Sequence, residues 1–127
     1  MSGQYKQPFD LNYAKSRAIS ENMLTAYATA LHTNPEVVAN LKFAHEADPA
    51  IYGEEELNNL GNLVTALMHK IGKEYAADYI SFSYGWSAFS DFNAWYLQEV
   101  VYDGESFESA LSRYLKVSPY IKWAGGQ

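Results

Sequence analysis

Apolar residues recur at three- and four-residue spacings along most of this chain, the period of an amphipathic helix. Ala14, Ala18, Ile19, Met23, Tyr27, Ala30 and Leu31 draw one stripe and predict a first helix from an Asp10 N-cap to Leu31. His32, Thr33 and Asn34 interrupt it. Asn34-Pro35-Glu36 then joins a capping amide, a first-turn proline and an acid at the positive helix end. A second helix is expected from there to Glu46, with Val37, Val38, Leu41 and Ala44 inward and Phe43 off the stripe. Asp48-Pro49 predicts a turn, with Ile51 and Tyr52 plugging a core edge. Glu54-Glu55-Glu56 opens a third helix whose Leu57, Leu60, Val64, Leu67, Met68 and Ile71 form the most regular stripe in the chain. That regularity marks it as the expected central helix, stopped by Gly72.

A short helix is expected over Lys73–Ile80, with Tyr75, Ala76, Tyr79 and Ile80 on one side. Ser81 to Gly85 alternates apolar and polar, but no second strand is evident to pair with it, so residues 81–86 read as an irregular aromatic link. Ser87 or Ser90 caps the next helix, which carries Phe89, Phe92, Trp95, Tyr96 and Val100 as its buried stripe and ends at Asp103-Gly104. Ser106 caps a last helix with Phe107, Ala110, Leu111, Tyr114 and Leu115 on one face, and Ser118-Pro119 stops it. The expected architecture is all-α: a single compact bundle of five or six helices over residues 10–123, with a flexible tail at 1–9 and a frayed end at 124–127.

Composition fits one globular domain: 127 residues, 48% hydrophobic, 19% charged. Aromatic content is 16%, and eleven tyrosines supply much of it. Eight aromatics fall between Tyr79 and Tyr96, dense enough to be core, binding face or both. With no cysteine, thiolate metal sites, disulfides and thiol nucleophiles are excluded. The N-terminus has no apolar leader and no stretch is long enough for a membrane span, so a cytoplasmic location is expected.

Charge changes the picture more. The net charge of −6 argues against direct binding to nucleic acid or anionic membrane. From Glu74 to Glu108 there are seven acids and no Lys or Arg, so the net negative charge sits in the aromatic stretch. An acidic, aromatic surface suits a basic protein partner: acids steer the encounter and desolvated rings hold it. The residues expected to bind are Tyr79, Phe82, Tyr84, Trp86, Asp78, Asp91, Glu99 and Asp103.

Catalytic constellations are sparse. His32, His45 and His69 each fall late in a predicted helix, where the dipole favours them, and no two share one helix at metal-ligand spacing. No Glu-x-x-His pair, nucleophile elbow or Gly-rich phosphate loop occurs. Nothing sets a carboxylate pair at glycosidase separation. No metal, cofactor or catalytic residue is therefore assigned. The tail Tyr120–Gly126 contains Lys-Trp-Ala-Gly-Gly, which resembles a segment of the DNA adenine methyltransferase family that is implied to contribute to an S-adenosylmethionine site. The resemblance covers seven residues, and that family's Asp-Pro-Pro-Tyr type motif is absent, so no function is carried over.

Three readings of function remain. The first is a non-enzymatic binding module or small inhibitor that engages a basic protein surface. One form of it is a phage or mobile-element anti-defence protein of the anti-restriction or anti-CRISPR type. The second is a structural or assembly protein that forms a homodimer through its aromatic face. The third is a small enzyme or ligand carrier with a pocket around Trp86 and Trp95, served by Asp91 or His69.

Overall fold

Ser20 caps the first helix among the described residues, its hydroxyl accepting the Met23 N–H at 3.0 Å over the open first turn of α1 (Glu21–His32). A computed structural model of the chain describes residues 18–48, 50–78 and 82–121. The helix expected to run from Asp10 to Leu31 is interrupted at Ala18, Ile19 and Ser20, and positions 10–17 lie outside the described residues. Ile19 is extended instead: its N–H donates to the Tyr120 carbonyl at 2.8 Å, and it bridges Ile121 in parallel. Ser20 has β-region backbone angles, so the helix stops at its own cap.

The next helix, α2 (Pro35–Glu46), runs as expected behind Pro35, with Val37 and Leu41 buried. The turn at Asp48 follows, its carboxylate accepting the Ala50 N–H at 2.9 Å; Pro49 lies outside the described residues. Ile51, expected against the core, is 73% exposed, while Tyr52 is half-buried. This turn leaves Ile51 uncovered by any helix among the described residues.

The third expected helix divides at Gly61 into α3 (Glu54–Leu60) and α4 (Asn62–Glu74). Asn40 of α2 fastens the break. Its Oδ1 accepts the N–H groups of Leu63 and Val64 at 3.2 and 3.4 Å, and its Nδ2 donates to the Leu60 carbonyl. One side chain thus serves the end of one helix and the start of the next. Gly72 does not stop α4; it is buried, and the helix continues to Glu74. The expected helix over Lys73–Ile80 is a 3₁₀ turn at Ala76–Asp78, with Tyr79 and Ile80 outside the described residues.

The irregular link is not observed where the chain is described. Residues Phe82 to Trp86 are the opening turns of α5 (Phe82–Tyr96). The apolar stripe explains this, because positions 82 and 86 continue it backwards from Phe89, Phe92 and Tyr96 at helical spacing. A glycine inside a helix costs about 1 kcal/mol relative to alanine, and α5 carries Gly85 in its first turns all the same. After Tyr96 the helix widens into a π-helix at Leu97–Tyr102. The last helix, α6 (Phe107–Val117), is capped by Ser106, whose hydroxyl accepts the Ser109 N–H at 3.1 Å. It ends at Ser118, as Pro119 requires. Residues 122–127, which include most of the methyltransferase-like tail, lie outside the described residues.

The described residues are thus all-α and form a compact bundle. Its centre is α1 rather than the regular 57–71 stripe: α1 packs on α2, α4, α5 and α6. Met23, Leu24, Tyr27, Ala28 and Leu31 are all fully buried, one broad face of α1 turned to the core. Tyr27 stacks on Phe89 at 4.3 Å and meets Phe92 edge-on at 6.4 Å. Tyr114 of α6 closes the cluster, edge-on to Phe92 at 5.1 Å.

Candidate functional site

The aromatic run first fills the core. Phe89, Phe92 and Tyr96 are buried on one face of α5, against α1 and α6. Trp95 is half-buried. Its indole N–H donates to the Ala110 carbonyl at 3.0 Å, and the Arg113 guanidinium lies 5.6 Å from its ring. Trp86 is also half-buried, with its ring 5.2 Å from that of His69 on α4. The two tryptophans are nine residues apart, half a revolution of the helix, so they line no common pocket. Positions 84 and 86 are two apart and do not share a helix face either.

The acids expected to bind are placed separately. Asp78 is half-buried in the 3₁₀ turn, and its carbonyl accepts the Ser20 N–H at 3.0 Å. Asp91 accepts the Tyr114 hydroxyl at 2.9 Å. Glu99 pairs with Arg113 at 2.7 Å, and Asp103 accepts from the Gln98 amide at 3.0 Å. Phe82 opens α5 with position 84 in its first turn, and Tyr79 lies outside the described residues. Of the eight, Glu99 and Asp103 are brought to one place, the end of the π-helix.

That end is an exposed acidic feature of the C-terminal half. The chain is open to solvent from Tyr102 to Ser106. The Asp103 N–H reaches back to the Gln98 carbonyl at 3.0 Å, and the Glu105 N–H to the Glu99 carbonyl at 2.9 Å. Each bond spans one residue more than in the usual α-helical C-cap, because the turn below it is π-wound. Gly104 closes the turn in the left-handed region at φ +75°. Tyr102, Asp103 and Glu105 are thereby displayed together.

Tertiary structure adds Glu46 of α2. It accepts the Tyr102 hydroxyl at 2.7 Å and pairs with Lys42 at 3.0 Å. These two donors hold the Glu46 carboxyl below its ordinary range, the tyrosine contributing more. The same bond pushes the Tyr102 phenol up, since ionising it would set two anions together. His45 stands 6.3 Å from the Tyr102 ring. Arg113 reaches Glu105 at 3.8 Å as well as Glu99. Glu46 thus contacts Tyr102 directly, Asp103 and Glu105 follow it in the exposed turn, and Arg113 draws Glu99 and Glu105 to α6.

Sequence reasoning missed Glu46, Lys42, Arg113 and Tyr102. Lys42 and Glu46 sit four apart on one helix, a detectable pairing signal, but nothing local connects them to Tyr102. Among the described residues, no group of three His, Asp or Glu side chains is placed to hold a metal ion, and no helix is long and apolar enough to cross a membrane. No protein-family model, curated protein or solved structure matches the chain.

Proposed function

We propose that this chain is a non-enzymatic protein-binding module or small inhibitor that engages a basic protein surface through the acidic turn after its π-helix. The observation that carries this reading is Tyr102, 44% exposed and bonded to Glu46, in a turn that also exposes Asp103 and Glu105. A ring held upright by a hydrogen bond loses little freedom on binding. Carboxylates near it exclude anionic partners and speed encounter with cationic ones. A π-helix is a costly way to end a helix and is often kept where it presents a functional group. One form of this reading is a phage or mobile-element inhibitor that occupies the nucleic-acid groove of a defence enzyme. These carboxylates do not reproduce a DNA backbone, so the contact is direct pairing with Lys or Arg rather than mimicry.

Capture from a lysate of the native host, read by mass spectrometry, tests the proposal when wild type is compared with Tyr102→Ala and with Glu105→Gln. The expected result is a basic protein retained by wild type, released by added salt and lost with Tyr102→Ala. Equal retention by wild type and both variants overturns it.

A further inference from the structure

We propose that the outer face of α1, with the groove on each side of it, is the interface of a homodimer whose second copy packs on the same face. This inference does not involve Tyr102 and stands or falls apart from the binding reading above.

Two grooves flank α1. One, of about 590 Å³, runs between α1 and α6 past Thr25, Leu111, Leu115, Glu108 and Lys116. The other, of about 580 Å³, runs between α1 and α4 past Ala26, Thr29, Ala30, Lys70, Glu74 and Tyr75. Thr25 lines both, so together they make one continuous face with α1 as its floor. Beyond Glu21 and Asn22 at its N-terminal end, the side chains on that floor are small, which lets another helix approach closely, while the half-buried Leu111, Leu115 and Tyr75 supply apolar area at its walls.

The charges on the walls select a second copy as the occupant. His32 at the end of α1 stacks on Phe107 at 4.2 Å, and Ile19 before its start bonds to Tyr120, so α6 runs antiparallel to α1. Ser20 bonds to Asp78, just beyond the end of α4, so α4 runs antiparallel as well. Lys116 and Glu74 therefore flank the N-terminal part of α1, and Glu108 and Lys70 flank the part towards its C-terminus. Each wall is positive at one end and negative at the other, in opposite order. All four side chains are exposed, and among the described residues none is in an ion pair.

A two-fold axis lying in this face and perpendicular to α1 sets the two α1 helices antiparallel. It brings Lys116 to Glu108 of the second copy and Glu74 to Lys70 of the second copy. Symmetry makes each pairing twice. Antiparallel helices also place opposite dipole ends together.

Sedimentation equilibrium over a range of concentrations tests the interface on the full chain. Wild type should pass from 14.3 kDa to twice that mass as concentration rises. Thr29→Arg, at an exposed position on the floor, should stay monomeric with an unchanged circular dichroism spectrum. Lys116→Glu and Glu108→Lys should each weaken self-association by about tenfold or more, because like charges then face across both symmetric pairs. An equimolar mixture of these two variants should dimerise again, since every Lys116–Glu108 pairing is then complementary. A wild type that is monomeric throughout, a dimer indifferent to Thr29→Arg or to the single reversals, or a mixture that stays monomeric overturns the proposal.

Discussion

Tyr27 of α1 donates a 2.7 Å hydrogen bond to Asn93 Oδ1 of α5, and both residues are buried. Asn93 occupies a position on the α5 stripe where the pattern calls for an apolar residue. Its acceptor meets a phenol delivered by a helix 66 residues away in sequence. This bond ties the central helix to the aromatic one and sets their register.

Tyr27→Phe should lower unfolding free energy by about 1–3 kcal/mol, because Asn93 is left with a buried acceptor and no donor. Asn93→Leu should cost a similar amount by orphaning the phenol. The double substitution should cost less than the two added together, as both partners become apolar. Urea denaturation of the three variants measures this directly.

Alkali should unfold the protein through the same core. Burial pushes the phenols of Tyr27 and Tyr96 above their ordinary value. Their folded pKa values are raised, so the unfolded chain gives up these protons first. Their stabilising contribution is complete below the unfolded value of about 10 and is lost as pH climbs through the folded values. Thermal melts across that range should show falling Tm, with a shallower fall in Tyr27→Phe than in wild type.

Asn40→Ala should loosen the junction between α3 and α4. Removing the acceptor shared by the Leu63 and Val64 N–H groups resembles loss of an N-cap and should cost about 0.5–2 kcal/mol. Hydrogen exchange at those two amides should quicken more than exchange in α6.

The turn that displays Tyr102 depends on Gly104. No atom crowds a Cβ there, so Gly104→Ala should cost only the left-handed backbone strain, about 1–2 kcal/mol. Gly104→Asn should cost less, because asparagine tolerates that region. Chemical denaturation of both variants separates backbone strain from a steric effect, which would penalise asparagine more.

In acid, Glu46 reports on the pairing with Tyr102. Its folded pKa is depressed, so its contribution is present above the unfolded carboxylate value and is lost as pH falls through the folded one. An NMR titration should place Glu46 below an ordinary glutamate in wild type and closer to one in Tyr102→Phe.

Much of this architecture is determined locally. Asn34-Pro35-Glu36 opens α2, Ser106 caps α6 and Ser118-Pro119 ends it because each device acts within a few residues of itself. The stripes of Phe89, Phe92 and Tyr96 and of Val64, Met68 and Ile71 face inward because helical spacing alone puts them on one side. What the chain could not announce depends on neighbours distant in sequence. Gly61 divides a continuous stripe because Asn40 reaches it from α2. Residues 82–86 are helical, and Trp86 there meets His69 of α4. Tyr102 meets an acid because Glu46 reaches it from another helix, and α1 is central because four helices converge on it. Local sequence sets each helix's period and caps. Only the packed bundle decides which side chains meet, because those contacts join residues with no common local pattern.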